Sequence, residues 1–436
     1  MSSPHILLLG AGKSASTLIQ YLHSIAEKEH WQVTVADKDL DTVQKKLLPY
    51  PHLTASPIDI DNREQRQLII GKANLVISLL PPPLQILVAT DCLDAGKHFF
   101  SASYTDPALL PMADAIADKN LLFLMEMGLD PGIDHMSAME LIHRIRSAGG
   151  KITGFASHCG GLVAPASDDN PWHYKFSWNP RNVILAGKAG AVFQQNGEVT
   201  KIGYEELFSF HQPVQIDGIG ELSTYPNRDS LSYMPLYGLE EAETFIRTTL
   251  RYPSFCRGWR WLIQLGCTRE GNTILTEGLT HRAYFQQHVN NSGYKREDLP
   301  SDLIPLFQSI GWEDDALVEC NSGSSADILQ WILEKRWALQ SGDRDMIVML
   351  HELDYLSGNK KFRLESQLVV EGDDSLHTAM AKTVGLPLGI AAVLTLKGVI
   401  QSRGLHVPVQ PDIYQPVLQE LEKHGIRFKE KLQEVN

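Results

Sequence analysis

Short apolar runs alternate with helical periodicity along the first third of the chain. The first run, His5–Leu9, is apolar almost throughout, which is typical of a strand buried on both faces of a parallel sheet. Helical spacing follows over residues 16–28. Further strands are expected at residues 32–36, Leu75–Ser78, His98–Ser101 and residues 121–125. Strands and helices that alternate at this pitch predict a doubly wound α/β sheet.

From residue 150 onward the runs become longer and alternate between apolar and polar positions, as in strands with one solvated face. The clearest hairpin pairs residues 345–355 with residues 362–370 across Ser357-Gly358-Asn359-Lys360, whose glycine and asparagine tolerate a positive φ. Residues 253–340 have mostly helical spacing and contain many of the tryptophans. This part of the chain is predicted to be a mixed α+β domain with an antiparallel sheet and a helical lobe.

The turn after the first strand reads Gly10-Ala11-Gly12-Lys13-Ser14-Ala15 and matches the G-x-G-x-x-A pattern of dinucleotide-binding turns. Gly10 permits the tight turn, Gly12 lets the backbone approach a pyrophosphate, and Ala15 allows close contact between helix and strand. A loop of the NTPase type is disfavoured, because Leu7 stands where that motif needs a glycine. The first domain is therefore predicted to be a Rossmann domain.

The second strand ends at Asp37, where a carboxylate would accept hydrogen bonds from ribose hydroxyls. The same negative charge repels a 2′-phosphate, although the neighbouring Lys38 partly offsets it. We therefore expect a nicotinamide dinucleotide as cofactor, with a preference for NAD and with NADP as the alternative.

Ligands of an open parallel sheet bind beyond the carboxyl ends of its strands. The residues expected to contact the cofactor there, besides the glycine turn, are Asp37, Lys38, Ser78, Leu79, Ser101, Ala102, Leu129 and Asp130. Asp130 lies in a turn rich in proline and glycine, which fits either a fixed catalytic carboxylate or a turn-forming aspartate. The hydroxyl-rich Ser103-Tyr104-Thr105 suits a polar substrate or a helix cap. Asp134 and His135 are expected to cap and begin the next helix.

In the second domain, arginines occur in Tyr225-Pro226-Asn227-Arg228-Asp229-Ser230 and in residues 246–252. A guanidinium binds a carboxylate through two hydrogen bonds, so these segments suggest a substrate with several carboxylates. Plain surface arginines are the alternative. His158 and Cys159 end a strand just before two glycines, which fits either a ligand site or ordinary burial.

The 436 residues exceed what a single hydrophobic core of roughly 250–300 residues supports. We expect a dinucleotide-binding domain over residues 1–128 and a substrate domain over residues 129–373. A last helical stretch is expected from Asp374 onward, and residues 374–436 are expected to return to the first domain as C-terminal helices.

The net charge of -13 disfavours partners with many phosphates, so neither nucleic acid nor a membrane surface is expected. The five cysteines form no CxxC pair, which indicates neither a disulfide framework nor a metal site and favours a reducing compartment. The first residues lack the basic start of a secretory signal, and no run of roughly 20 apolar residues suggests a membrane span. A cytoplasmic protein is expected.

The series of motifs in this chain resembles the saccharopine dehydrogenase family, in its L-glutamate-forming branch. The segments that carry the resemblance are Gly128-Leu129-Asp130-Pro131-Gly132-Ile133-Asp134-His135, Cys159-Gly160-Gly161-Leu162, Asp169-Asn170-Pro171, Tyr174-Lys175-Phe176-Ser177-Trp178, Tyr225-Pro226-Asn227-Arg228-Asp229-Ser230 and Thr249-Leu250-Arg251-Tyr252. The resemblance covers nearly the whole chain.

The resemblance implies an oxidoreductase of lysine metabolism that acts on the CH–NH bond of saccharopine. Hydride would pass to NAD or NADP, and water would split the resulting imine into glutamate and α-aminoadipate δ-semialdehyde, or the reverse. The implied substrate-binding residues are Ser103, Tyr104, Asp130, Asn227, Arg228, Thr248 and Thr249. Asp130 is the catalytic candidate, and His158, Cys159 and Lys175 stay open as alternative bases. A homodimer is the expected assembly.

One departure concerns Asp37, since the fungal biosynthetic members of the family use NADP. An NAD-linked enzyme of lysine breakdown is therefore as consistent with the sequence as a biosynthetic one. Two other functions stay open: a related amine dehydrogenase of the carboxynorspermidine or lysine 6-dehydrogenase type, and a dinucleotide-binding regulatory protein without turnover.

Overall fold

The computed structural model describes residues 3–435. The expected absence of a secretory signal concerns the chain start, which lies partly outside the described residues. The strands are β1 (His5–Leu9), β2 (Gln32–Asp37), β3 (Thr54–Pro57), β4 (Leu75–Ser78), β5 (His98–Ser101), β6 (Leu122–Leu124), β7 (Lys151–Val163), β8 (Ala191–Gln195), β9 (Glu198–Ile202), β10 (Gln212–Ile216), β11 (Gly220–Pro226), β12 (Arg228–Asp229), β13 (Thr244–Arg251), β14 (Ile274–Leu275), β15 (Ser322–Gly323), β16 (Asp345–Ser357), β17 (Lys360–Glu371), β18 (Gly404–His406) and β19 (Lys429–Val435).

The α-helices are α1 (Ser16–Glu29), α2 (Leu40–Leu47), α3 (Arg63–Lys72), α4 (Pro82–Ala95), α5 (Ala113–Asp118), α6 (Ile133–Ser147), α7 (Pro180–Ile184), α8 (Tyr204–Leu207), α9 (Met234–Tyr237), α10 (Pro253–Gln264), α11 (His281–Ser292), α12 (Ile304–Ser309), α13 (Ser325–Arg336), α14 (Ala379–Leu396) and α15 (Pro411–Lys423). Short 3-10 turns connect several of them.

The chain forms two compact units, and their boundaries differ from those expected. Unit 1 contains Met1–Gly149 and Leu376–Arg427, and unit 2 contains Gly150–Ser375 and Phe428–Asn436. Helix α6 stays in unit 1 because it packs against α15, so the predicted boundary at residue 128 falls one helix too early. The last strand, β19, pairs with β17 in unit 2 instead of returning with the helices before it.

Unit 1 is built on a seven-stranded parallel sheet in the order β18-β6-β5-β4-β1-β2-β3. Most side chains of the apolar runs in β1 and β4 are fully buried, as expected for central strands covered by helices on both faces. Apart from β18, the strand order is that of a Rossmann fold. The predicted doubly wound α/β sheet is confirmed.

Helix α14 packs closely on α1 through two glycines. A methyl group on Gly385 would come within 2.9 Å of the Leu18 side chain, and one on Gly389 would come within 2.7 Å of Tyr21. The helix begins later than expected, after Thr378, whose hydroxyl accepts a hydrogen bond from the amide of Ala381. Within residues 3–435 it is the one helix whose length and apolar composition would suit a bilayer, but 78% of that stretch is buried, which makes it weak evidence for a span.

Unit 2 is built on a ten-stranded mixed sheet whose main path runs β10-β11-β13-β7-β16-β17-β19. Strands β16 and β17 form the predicted hairpin, with Ser357 opposite Lys360 across a two-residue turn. The sheet is not wholly antiparallel, since β13 pairs in parallel with β7. The predicted mixed α+β architecture with a helical lobe is confirmed.

The helical lobe has an aromatic core. Trp172, Trp259 and Trp337 are almost fully buried there among residues of α10, α12 and α13. The indole N–H of Trp172 donates to the carbonyl of Leu306 at 2.7 Å, so this ring has a polar partner in the core.

Candidate cofactor site and active site

The glycine turn follows β1 as the sequence predicts, and its shape requires glycine. Gly10 has a φ of +96°, and a methyl group there would come within 3.2 Å of the Leu79 carbonyl carbon. A methyl group on Gly12 would meet open space, so the backbone is accessible at this point. Ala15 is fully buried, which allows the close packing of helix on strand that the motif requires.

Two charged side chains hold this turn from neighbouring elements. The Asp37 carboxylate accepts a hydrogen bond from the Ala11 amide at 2.7 Å. The Lys46 ammonium, on α2, donates to the carbonyls of Ala11 and Gly12 at 2.6 Å each. Burial lowers the pKa of Lys46, and the negative charge of Asp37 partly opposes this shift. Lys46 is not recognisable as a functional residue from the sequence, because a lysine in a short helix usually faces solvent.

Polar side chains lie at the carboxyl ends of β4 and β5, as expected for a ligand site. The Ser78 hydroxyl is buried and has no hydrogen-bond partner within residues 3–435. The Ser101 hydroxyl accepts a bond from the Ser103 amide at 3.1 Å. The Ser103 hydroxyl in turn contacts the side-chain amide of Gln85 at 3.3 Å. These features fit a dinucleotide. Its pyrophosphate needs an accessible glycine turn, and its polar ring substituents could bond to the unpartnered Ser78 hydroxyl.

Asp130 and Tyr104 come together next to this edge of the sheet. The Tyr104 hydroxyl donates to the Asp130 carboxylate at 3.4 Å. The turn that carries Asp130 is very compact, because a methyl group on Gly132 would lie 2.1 Å from the Gly128 carbonyl oxygen. Gly128 in turn packs on Ala102, and a methyl group there would lie 3.0 Å from the Ala102 Cβ. The turn therefore fixes the Asp130 carboxylate near the residues expected to bind the nicotinamide.

A buried acid–imidazole pair supports the same region. Glu126 and His135 contact each other at 2.9 Å, and both are almost fully buried. Burial alone would raise the pKa of Glu126, but hydrogen bonds and charge from His135, with further bonds from Thr105, hold it below its ordinary value. His135 lies inside α6, which is preceded by Gly132, so its role goes beyond the expected start of a helix. The sequence did not indicate this pair.

In unit 2, the neighbours Thr248 and Thr249 point to opposite faces of β13, as side chains alternate along a strand. The Thr248 hydroxyl contacts His158 Nδ1 at 2.7 Å. The other nitrogen of His158 lies 3.0 Å from the Glu352 carboxylate. Hydrogen bonding to His158 lowers the pKa of Glu352 despite its burial. The sheet therefore separates the two threonines, which the resemblance had placed together in one substrate site.

The arginines of residues 225–230 and 246–252 differ in their exposure to solvent. Arg228 is exposed and has a φ of 52°, and Asn227 is half-buried beside it. Arg247 is buried and lies over the ring of Tyr233 at 4.4 Å. Arg251 is buried and donates to the carbonyl of Leu250 at 2.7 Å. Arg228 is therefore the exposed arginine of the two segments, and carboxylate binding by these arginines stays a prediction.

Lys175 also has structural partners. Its ammonium is buried and pairs with Asp169 at 2.7 Å and with Asp343 at 2.8 Å. These bonds raise its pKa, although burial alone would lower it. A lysine held as a cation is poorly suited to act as a base. Within residues 3–435, His, Cys, Asp and Glu side chains form no group of three that would hold a metal ion.

Comparison with known proteins agrees with this arrangement. Residues 6–124 match the saccharopine dehydrogenase NADP binding domain, and residues 128–426 match the saccharopine dehydrogenase C-terminal domain. The chain is 32% identical to saccharopine dehydrogenase [NADP(+), L-glutamate-forming] of Pyricularia oryzae, over 99% of this chain and 100% of that protein. The enzyme of the same name from Saccharomyces cerevisiae is 32% identical over 98% of this chain and 99% of its own.

A bovine relative, alpha-aminoadipic semialdehyde synthase, mitochondrial, is 31% identical, but the alignment covers only 47% of that protein. Among solved structures, apo saccharopine dehydrogenase (L-Glu forming) from Saccharomyces cerevisiae superimposes with a TM-score of 0.89 at 31% identity, over 99% of this chain and 100% of that chain. A homospermidine synthase from Legionella pneumophila, solved with NAD, has a TM-score of 0.58 at 10% identity and shares the fold alone. The chain belongs to the saccharopine dehydrogenase family.

Proposed function

We propose that the protein is an L-glutamate-forming saccharopine dehydrogenase. The observation that carries this proposal is the pairing of Tyr104 with Asp130 beside a complete dinucleotide turn, in a chain aligned over its whole length with enzymes of that name. A nicotinamide held by the glycine turn would supply the hydride acceptor for the C–H bond of the lysine-derived carbon next to the secondary amine, and a base of the chain would take the amine N–H proton. Water would then add to the imine carbon and release glutamate and α-aminoadipate δ-semialdehyde.

Asp130 is the group we assign to the proton transfers. A carboxylate that accepts a hydrogen bond from the Tyr104 phenol is held as an acceptor, and it can take a proton from the substrate amine or from the attacking water. Tyr104 would orient that carboxylate and bind the substrate, with Ser103 beside it. Of the residues in unit 2, Asn227 and Arg228 are the ones we assign to the substrate carboxylates. Thr248 and Thr249 stay expected substrate residues, and the Thr248 hydroxyl also contacts His158.

We further propose that NAD is the preferred cofactor, although the fungal relatives are named for NADP(+). The Asp37 carboxylate is fixed at the end of β2 by the Ala11 amide, in the place where ribose hydroxyls bind. A 2′-phosphate at this place would meet a negative charge that cannot move away without losing that bond. Lys38 is exposed beside it, and Lys46 donates instead to the turn.

The experiment is an initial-rate assay with saccharopine, carboxynorspermidine and lysine, each with NAD and with NADP, with reduced nicotinamide followed by absorbance. We expect turnover of saccharopine with NAD, slower turnover with NADP, and no turnover of the other two amines. Turnover of another amine alone would move the chain to a related dehydrogenase. Cofactor binding without turnover of any amine would favour a regulatory protein. Asp130→Asn should lose most of the rate if Asp130 acts as assigned.

The remaining expectations on location and partners stay proposals. A cytoplasmic location is supported by the five cysteines, all of them free thiols. The net charge of -13 is the reason to expect neither nucleic acid nor a membrane surface as a partner. Light scattering of the purified protein tests the proposed homodimer, which would have twice the mass of the monomer.

A further inference from the structure

The backbone at Glu126 is strained at the edge of the active site. Its φ is 56°, in the left-handed region that residues other than glycine, asparagine and aspartate rarely adopt. Such a conformation persists where the surroundings hold it. Here the Glu126 amide donates to the Ser103 carbonyl at 3.1 Å, and the Met127 amide donates to the Ser101 carbonyl at 3.0 Å. The strained residue is thus bonded to the segment that contains Tyr104.

The side chain of Glu126 adds a second connection to that segment. One carboxylate oxygen accepts from the amide and from the hydroxyl of Thr105, at 3.0 and 2.9 Å. The other oxygen is 2.9 Å from His135 Nε2. His135 is fully buried in the first turns of α6, the helix that begins just after the Asp130 turn. One carboxylate therefore joins the segment before β6 to the helix after it.

Tyr104 and Asp130 lie on the two ends of this connection. Tyr104 directly precedes Thr105, and Asp130 lies three residues before the start of α6 at Ile133. A hydrogen bond of 3.4 Å between two such groups depends on how closely their two segments are held. The Glu126 carboxylate contacts Thr105 and His135, so we expect it to affect the reaction through the positions of these two segments.

We propose that Glu126 and His135 are positioning residues that hold Tyr104 on Asp130. The expected effect on kcat rests on the proposed function, because it requires that the protein oxidises saccharopine. It assigns a role to two buried residues outside the expected substrate and cofactor contacts.

The test uses Glu126→Ala and Glu126→Gln in the full-length protein. Alanine removes the acceptor for Thr105, whereas the amide oxygen of glutamine can still accept that bond. We expect Glu126→Ala to lower kcat for saccharopine by about tenfold to a hundredfold with the KM for NAD within about twofold, because small displacements of reacting groups cost rate more than cofactor binding. Glu126→Gln should keep kcat within about threefold of the wild type.

Hydrogen exchange of the Thr105 amide gives a readout that needs no turnover. Exchange should be faster in Glu126→Ala and close to the wild-type rate in Glu126→Gln. If the wild type oxidises no saccharopine, the proposed function fails, and the exchange rates still show whether Glu126 holds the loop. If Glu126→Ala does not fold, Thr105→Val removes one of the two bonds and should produce a smaller fall in kcat.

His98→Ala is the matched control. His98 is a half-buried histidine at the amino end of β5 in the same sheet, and its ring accepts a bond from the Leu122 amide at 2.9 Å. This variant should lose thermal stability and keep kcat. A kcat for Glu126→Ala within twofold of the wild type, or unchanged exchange at Thr105, would overturn the proposal. So would a fall in kcat that His98→Ala reproduces at equal loss of stability.

Discussion

Lys46 offers a quantitative test of how the glycine turn is held for the cofactor. Its ammonium donates to two carbonyls of the turn, those of Ala11 and Gly12, at 2.6 Å each. These bonds hold the turn in a conformation whose backbone is open to a ligand at Gly12, where a pyrophosphate would approach. Lys46→Met keeps an unbranched side chain, shorter only by the terminal ammonium, and removes both bonds. We expect weaker binding of NADH, because the turn must then be ordered by the ligand itself.

The expected loss follows from the strength of the two bonds. A hydrogen bond from a charged group contributes about 1.5–3 kcal/mol when buried. Lys46 is half-buried, so solvent screens its charge and weakens both bonds. Partial burial also disfavours the charged ammonium and thereby lowers its pKa, which reduces the net contribution of the bonds further. Because the bonds exist in the free protein too, only part of that net contribution affects binding of NADH. We therefore expect a loss of about 1–2 kcal/mol, which raises the Kd for NADH roughly five- to thirtyfold.

The assay is a fluorescence titration of NADH against the purified protein at constant ionic strength. Lys45→Met is the control, because Lys45 is the exposed neighbour on α2 and its replacement changes the net charge equally. A Kd for Lys46→Met within twofold of that of Lys45→Met would refute the reasoning. The lowered pKa of Lys46 also predicts the direction of the pH dependence: the affinity for NADH should fall as the pH rises into the alkaline range, where the Lys46 ammonium loses its proton. Lys46→Arg should move that fall to higher pH.

Three further predictions concern other parts of the molecule. Asp37→Ser should reduce the preference for NAD over NADP by about tenfold, measured as the ratio of kcat/KM values, and an unchanged ratio would remove Asp37 from cofactor selection. Gly132→Ala should lower the free energy of unfolding by about 3 kcal/mol or more in urea titrations, because its methyl group would overlap the Gly128 backbone; a stability equal to the wild type would show that the turn can relax. The pKa of Glu352 is lowered mainly by its bond to His158, so this contribution to stability is present above the ordinary pKa of 4.5 and disappears as the pH falls below it. Glu352→Gln should therefore flatten the acid side of a plot of Tm against pH, and an identical plot would contradict the assignment.

Local pattern was sufficient to predict five of the seven strands of the parallel sheet, all except β3 and β18. The central strands are short apolar runs, and a G-x-G-x-x-A turn directly after a buried strand is typical of dinucleotide binding. The outer strands were harder to predict. Strand β18 has only three residues, Gly404–His406, and β19 consists mostly of exposed charged and polar residues, so pairing with a neighbour decides both strands. The prediction of C-terminal helices over residues 374–436 therefore did not include these two strands.

The site shows the same division. Residues that need a special backbone, such as Gly10 and Gly132, are recognisable in the sequence because only glycine meets the steric requirement. Residues that act through a partner distant in the sequence are not. Lys46 contacts carbonyls more than 30 positions earlier, and nothing in its own helix distinguishes it from Lys45. The two threonines of β13 stay predicted substrate residues, although adjacency in sequence places their side chains on opposite faces of a strand.

The most direct test of the proposed reaction is its stoichiometry. Purified protein would be incubated with a limiting amount of saccharopine and an excess of NAD, with reduced nicotinamide measured by absorbance and glutamate by amino-acid analysis of the same sample. The proposal predicts equal amounts of the two products, and much slower formation of both by Asp130→Asn at the same protein concentration. Reduced nicotinamide without glutamate, or no reduction with either NAD or NADP, would contradict it.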